Sequence, residues 1–148
     1  MFKSILVPVD FSETASHALR LAVQLARHGQ GRLTLLHVGL APGVGVIGIE
    51  TYGIPVPDTF VQLHEQLAQE RQHALERLAR EEIPEDVVWR CKVREGFAPD
   101  EILAEAKSGG HDLVLMGTHG RTGVERVVLG SVTERVLRKA EIPVLVTR

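Results

Sequence analysis

An open α/β sheet, parallel and covered by helices on both faces, is the fold class this sequence predicts, and three observations carry it. Short apolar runs alternate with stretches of helical period, in the order βαβαβαβαβ. The change of period is abrupt: Ile5 to Val9 is a β-branched run, whereas Ala15, Ala18, Leu19, Ala22, Val23 and Ala26 recur at helical spacing. Glycines or a proline close the helical stretches, at Gly29 and Gly31, at Pro84, and at Gly109-Gly110. With the first strand central, between the second and the fourth, the five strands stand in the order 3-2-1-4-5.

Ser12 reads as the N-cap of the first helix, with Glu13 in its first turn and the glycines at 29 and 31 ending it. Leu33 to Val38 is the second strand. Gly39 to Pro57, rich in Gly and Pro and without a period, is too long for an ordinary connection and reads as a mobile loop. Asp58 caps a long polar helix to about Glu82, with Phe60, Leu63, Leu67, Leu75 and Leu78 along one face. Val87, Trp89, Cys91 and Val93 then alternate with Val88, Arg90, Lys92 and Arg94, the pattern of a half-buried strand near the sheet edge. Ala98 starts a third helix, with Pro99 as its first helical position and Asp100 and Glu101 in the first turn; it carries Ile102, Leu103 and Ala106. Asp112 to Met116 is the fourth strand, Ser131 to Ala140 the fourth helix, and Pro143 to Thr147 the last strand.

The 148 residues, 44% hydrophobic and 24% charged, fit one domain with a proper core, without linker or repeat. Lys plus Arg number 17 against 19 Asp plus Glu, a formal charge of −2, so no bulk attraction draws the chain onto nucleic acid or an anionic membrane. Any anion must be caught locally. The single cysteine, Cys91, excludes an internal disulfide framework and any Cys-x-x-Cys motif, in keeping with a reducing cytoplasm. The opening Met-Phe-Lys-Ser-Ile-Leu-Val-Pro-Val-Asp reads as a strand and not as a signal peptide, and no run approaches 18 apolar residues.

Beyond the fourth strand the chain runs Gly117-Thr-His-Gly120-Arg-Thr-Gly123-Val-Glu-Arg-Val-Val-Leu-Gly130-Ser131-Val-Thr133 into the fourth helix. A glycine-rich passage between a strand end and a helix N-terminus suits a phosphate: glycine lets the backbone approach, and the first helical N–H groups carry partial positive charge. Ser131 and Thr133 add hydroxyl donors, and Arg121 or Arg126 could add charge. Ligands of open α/β sheets bind at strand C-termini where the order reverses, here between Pro8-Val9-Asp10 and the Gly117 loop. Asp10 would reach a sugar hydroxyl or a metal ion there, or would instead form an Asx-turn or cap the first helix. Gly43-Val-Gly45-Val-Ile-Gly48 matches the dinucleotide pattern literally, but Pro55 and Pro57 follow in place of a helix, and no Walker A loop exists.

Gly117, two residues, Gly120, nine residues and Gly130-Ser131 match the motif G-x2-G-x9-G-[ST], and here the sequence resembles the universal stress protein family. Ile5-Leu-Val-Pro-Val-Asp10, Leu35-Leu-His-Val38, Gly96, Asp112 to Gly117 and Pro143-Val-Leu-Val146 agree, so the resemblance spans the chain. It implies one Rossmann-like domain over residues 1–148, a homodimer, and binding of ATP or AMP, with Mg²⁺ or Mn²⁺ accompanying ATP. Pro8, Val9 and Asp10 would then lie against the adenosine, and Val38 would meet adenine through its backbone. Met116, Gly117, Thr118, His119 and Gly120 would pass beneath ribose and phosphate, and Gly130, Ser131 and Val132 would hold the phosphates. The variable region of 39–57 transfers nothing.

No residue beside the motif is an evident base or nucleophile, which points to a nucleotide-binding regulatory protein and not a dedicated enzyme. His119 is the one candidate base, His37 reads as a satisfied core or pocket residue, and the histidines show no metal spacing. Slow Mg²⁺-dependent hydrolysis and a nucleotide-independent dimeric scaffold remain the alternatives. The apolar last strand, Val144, Leu145 and Val146, belongs at a sheet edge, where antiparallel pairing with a second copy would satisfy its backbone. An as yet unnamed protein partner is compatible with the regulatory reading; a nucleic acid or membrane partner is not expected.

Overall fold

A computed structural model describes residues 1–40, 57–118 and 129–148; positions 41–56 of the loop proposed for 39–57, with its literal dinucleotide pattern, and the middle of the glycine passage lie outside them, while Gly39 ends the second strand. The described elements are β1 (Ser4–Pro8), α1 (Glu13–Gly29), β2 (Arg32–Gly39), α2 (Asp58–Glu82), β3 (Val88–Glu95), α3 (Ala98–Ser108), β4 (Leu113–Gly117), α4 (Ser131–Lys139) and β5 (Val144–Thr147). The sheet is parallel with the order β3-β2-β1-β4-β5. That is the expected order, with β3 and β5 at its edges.

Side chains alternate across the pleat and build two cores. Ile5, Val7 and Val9 face Leu19, Val23 and Ala26 of α1 and Leu75 and Ala79 of α2, while Leu6 faces Ile102 and Ala106 of α3 and Val136 of α4. The alternation read in β3 holds: Val87 is buried and Trp89, Cys91 and Val93 pack on the first core. No described helix is long and apolar enough to cross a membrane.

Three local expectations are corrected. Ser12 does cap α1, its Oγ accepting from Ala15 N at 3.2 Å, but the residue that turns left-handed at the far end is Gln30 (φ 49°). Gly29 and Gly31 serve close approach instead, since a Cβ on either would lie 2.7 to 3.0 Å from the Phe2 carbonyl oxygen. Asp58 is the first helical residue of α2, with Pro57 in the cap position. Pro99 is one place inside α3, after Ala98, where its missing N–H still falls among first-turn donors that lack an internal partner.

The apolar face of α2 is core only at its C-terminal end. Leu75 is buried, but Phe60, Leu63 and Leu67 are exposed. A helix of 25 residues is ~37 Å long, whereas an eight-residue strand spans ~26 Å, so the first turns overhang the sheet. They are tied down by charge: Glu95, ending β3, accepts from His64 at 2.9 Å and pairs with Arg71 at 3.2 Å.

Under α3 lies a buried polar network that composition does not reveal. Glu105 of α3 is fully buried, yet holds Lys92 at 2.7 Å and Arg94 at 2.6 Å, and takes a 3.3 Å contact from His111 Nε2. His111 Nδ1 lies 3.1 Å from Ser4 Oγ. Burial alone would raise the Glu105 pKa, but hydrogen bonds from Lys92, His111 and Arg94 outweigh it and bring it to about 2. Burial lowers the His111 pKa, an effect Glu105 offsets only in part.

Both groups therefore bind fewer protons folded than unfolded, and acid should unfold the protein. Stability should fall as pH drops below 6.5, where unfolded His111 takes a proton that the buried ring resists, and fall further between 4.5 and about 2 as Glu105 is protonated. Calorimetric melting from pH 7.5 to 2.5 should show this, with Glu105→Gln less stable by roughly 3 kcal/mol at neutral pH and flatter on the acid side. A melting temperature indifferent to pH across this range would refute the assignment.

Candidate functional site

A crevice of about 200 Å³ opens at the C-terminal ends of β1 and β4, on the side covered by α3 and α4. Its position follows from topology: β1 pairs with β2 on one side and β4 on the other, so the connections leaving their ends diverge. Pro8, Val9 and Asp10 form one wall; Leu36 and Val38 of β2 and Ile102 of α3 form an apolar pocket beside it. Met116 and Gly117 lie at the other side, and Gly130, Ser131, Val132 and Thr133 present the start of α4.

Asp10 makes the Asx-turn and also lines the crevice. Its Oδ1 accepts from Ser12 N at 3.0 Å and from Ser12 Oγ at 2.5 Å, and the same Oγ caps α1. Phe11 between them is left-handed (φ 63°), an uncommon state for an aromatic residue. Its ring rests on His37, centroids 4.9 Å apart, and His37 Nδ1 donates to the Val9 carbonyl at 2.8 Å. His37 is thus a satisfied strut behind the crevice wall.

The glycine passage is fastened at its two ends. Gly130 N donates to the Thr118 carbonyl at 2.7 Å, and Thr118 N donates to the Thr147 carbonyl of β5 at 2.8 Å. Thr133 is buried, and its hydroxyl donates to the Gly117 carbonyl at 2.9 Å. That hydroxyl positions α4 against β4 and is not the spare phosphate donor expected of it. Gly117 has a second duty as well: a Cβ there would lie 2.8 Å from Thr14 backbone atoms, so its missing side chain admits the first turn of α1.

Of the predicted nucleotide residues, Pro8, Val9, Asp10, Val38, Met116, Gly117, Gly130, Ser131, Val132 and Thr133 therefore converge on one crevice, and Thr118, which does not line it, is bonded to Gly130, which does. His119, Gly120 and Arg121 fall outside the described residues. The sequence reading missed Ala15, Leu36, Ala98 and Ile102. Leu36 was findable two residues before Val38, on the same strand face, and Ala98 and Ile102 as an i, i+4 pair of α3. In β5, Leu145 is exposed, and Val144 and Val146, partly buried, pack against the second core.

The crevice holds little formal charge. Among the described residues that line it, Asp10 is the one ionisable side chain. Gly130, extended at φ −61°, supplies no side-chain cap to α4, so the outward N–H groups of the first turn are turned to the crevice mouth without one. No described group of three His, Cys, Asp or Glu residues could hold a metal ion alone.

A doubly wound α/β sheet with a glycine-edged crevice at its switch point defines a class of small-ligand-binding domains. Within that class, the model of the universal stress protein family matches residues 1–148, and the chain belongs to that family. It is 32% identical over 157 residues to universal stress protein MJ0577 of Methanocaldococcus jannaschii, covering all of this chain and 96% of the relative. The solved structure of MJ0577 superposes with a TM-score of 0.79, covering 99% of this chain and 96% of that one. Universal stress protein YxiE of Bacillus subtilis is 32% identical over 149 residues, covering both chains completely. A more distant fold neighbour is the universal stress protein from Archaeoglobus fulgidus solved in complex with dAMP, with 20% identity, a TM-score of 0.58, and 99% and 98% of the two chains covered.

The double duty of Gly117 yields a test. Gly117→Ala should force α1 from β4 and lower stability by about 1–3 kcal/mol even without ligand. Thermal denaturation of the purified variant measures it, and an unchanged melting temperature would show that α1 does not depend on this glycine.

Proposed function

We propose that the chain is an adenine-nucleotide-binding regulatory protein, one domain over residues 1–148, acting as a dimeric nucleotide-dependent sensor or switch. The observation that carries this is the meeting of an apolar pocket, a carboxylate wall and the glycine-capped start of α4 in one crevice. The apolar pocket of Leu36, Val38 and Ile102 suits a base, Asp10 suits a ribose hydroxyl, and the amides of Ser131 and Val132 suit phosphate. The ligand in this reading is ATP or AMP, a choice that the dAMP complex of the distant Archaeoglobus fulgidus relative supports by analogy.

The residues fit a Mg²⁺ or Mn²⁺ ion arriving with ATP. Mg²⁺ is commonly held by one or two carboxylates together with substrate phosphates, and Asp10 provides one. Such an ion would neutralise phosphate charge at the crevice. With no second ionisable side chain among the described lining residues, the geometry favours holding a nucleotide over cleaving it. In this reading the protein works in the cytoplasm, in keeping with its one half-buried cysteine, and signals to a protein partner, not to nucleic acid or membrane.

Gly130→Asp separates binding from folding. The backbone of residue 130 is extended, and Asp is a favourable N-cap, so the variant should keep its stability while placing a carboxylate where phosphate belongs. Denaturing the purified protein and chromatographing the supernatant should release adenine nucleotide from the wild type and none from Gly130→Asp. No retained nucleotide, and no ATP binding by calorimetry up to millimolar concentration with Mg²⁺, would sink the proposal and leave the scaffold.

The dimer in this reading forms through β5, an edge strand with Leu145 exposed. Sedimentation should give twice 16.3 kDa, and Leu145→Lys should shift it toward 16.3 kDa. A wild type that sediments only as the single chain at micromolar concentration would remove the dimer.

A further inference from the structure

We infer that the groove between the start of α3 and α4 is a docking site for an extended acidic segment of a partner protein, with Asp or Glu at alternate positions and apolar side chains between them. Such docking goes beyond the nucleotide reading and does not depend on it. The groove has about 430 Å³. From α3 it takes an apolar wall, Phe97 and Pro99; from α4 it takes the cations Arg135, Arg138 and Lys139, with Glu134 as the one acidic residue among its described lining.

Neither wall is used up within the chain. Phe97 is 55% exposed, and the Arg135 guanidinium rests 4.9 Å from its ring centre. An exposed aromatic ring beside an arginine has the composition of an interface centre, where both residue types are enriched. Arg135 lies 4.0 Å from Asp100, at the outer limit of an ion pair, and Arg138 pairs with Glu134 one turn back on the same exposed face. Exposed pairs of this kind are worth little in water, so a well-placed carboxylate outcompetes them. Lys139 has no carboxylate partner among the described residues.

Charge and spacing select the occupant. The groove is positive on a chain of net charge −2, so an acidic partner is complementary to it. Arg135 and Lys139 stand one turn apart on α4, ~6 Å along its axis. Alternate residues of an extended chain are ~6.7 Å apart and share a face, while the residue between them points the other way. An extended segment lying in the groove therefore gives two carboxylates to the α4 wall and the intervening side chain to Phe97 and Pro99. Three cations on a chain of negative charge do not make the basic stripe that a nucleic acid requires.

Fluorescence anisotropy with a short labelled peptide of alternating Glu and Leu tests this, beside the same peptide with Gln in place of Glu and a peptide of alternating Lys and Leu. The wild type should bind the acidic peptide, and the Gln peptide roughly tenfold more weakly. Arg138→Glu/Lys139→Glu should weaken the acidic peptide roughly tenfold, flatten its salt dependence, and bind the Lys peptide better than wild type does. Phe97→Ser should weaken the acidic peptide about fivefold, with melting temperatures confirming that these exposed variants fold. No binding of the acidic peptide by wild type up to millimolar concentration, equal binding of the Gln peptide, or binding undiminished in both variants would overturn the site. So would a preference for a single-stranded oligonucleotide or phosphatidylserine vesicles over the peptide. Peptide binding by a wild type that takes up no nucleotide would sustain the docking site and refute the nucleotide reading alone.

Discussion

The close passage of α1 over Gly117 is the constraint on which the site depends. At this one position the last residue of β4 must lack a side chain, since Thr14 backbone atoms occupy the space at 2.8 Å. The same residue and its neighbour make three further hydrogen bonds to two elements: Gly117 accepts from Thr133 of α4, while Thr118 accepts from Gly130, the cap residue of α4, and donates to Thr147 of β5. Helix and edge strand are thereby fixed around two consecutive peptide units. The first turn of α4 is placed by these contacts and not by its own capping, since Gly130 offers no side chain.

Two places divide the electrostatic work. Under α3 the buried Glu105 carboxylate is held by the charges of Lys92 and Arg94 and by a contact from His111, whose burial disfavours its protonated form. At the C-terminal end of the sheet the crevice carries one carboxylate and relies on peptide dipoles. Mutually satisfied charges leave nothing over for a ligand, whereas an uncapped helix start does. In the proposed reading the net charge of −2 is no obstacle to an anion at that end, because peptide dipoles at a helix start act over a short range.

What was legible in the sequence was periodic or spaced. Strand order, the cap at Ser12 and the convergence of Pro8-Val9-Asp10 on Gly130-Ser131 follow from local pattern and from the reversal rule. What was not legible depended on length or on distant partners. Phe60, Leu63 and Leu67 have the spacing of a core face, but helical periodicity says nothing of whether a sheet is long enough to lie beneath it. Gly29 resembled a left-handed terminator, yet its need to be glycine comes from Phe2, 27 positions earlier in the chain. Nothing in the local pattern of α3 sets Glu105 apart, because the cations that hold it come from β3.

Thr133 shows the same limit inside the site and refines how the glycine motif works. A hydroxyl two residues into a helix that follows a glycine has two uses, to meet a phosphate or to tie the helix to the preceding strand, and composition cannot separate them. The 2.9 Å bond to Gly117 does. With that hydroxyl committed and its side chain buried, Ser131 is the exposed hydroxyl at the helix start, and Thr133 becomes a positioning residue. The bond sets the distance between α4 and β4, the two walls between which phosphate would sit. The spacing Gly117, Gly120, Gly130-Ser131 therefore encodes more than a cradle, since its first glycine admits α1 and offers the carbonyl that Thr133 uses to aim α4.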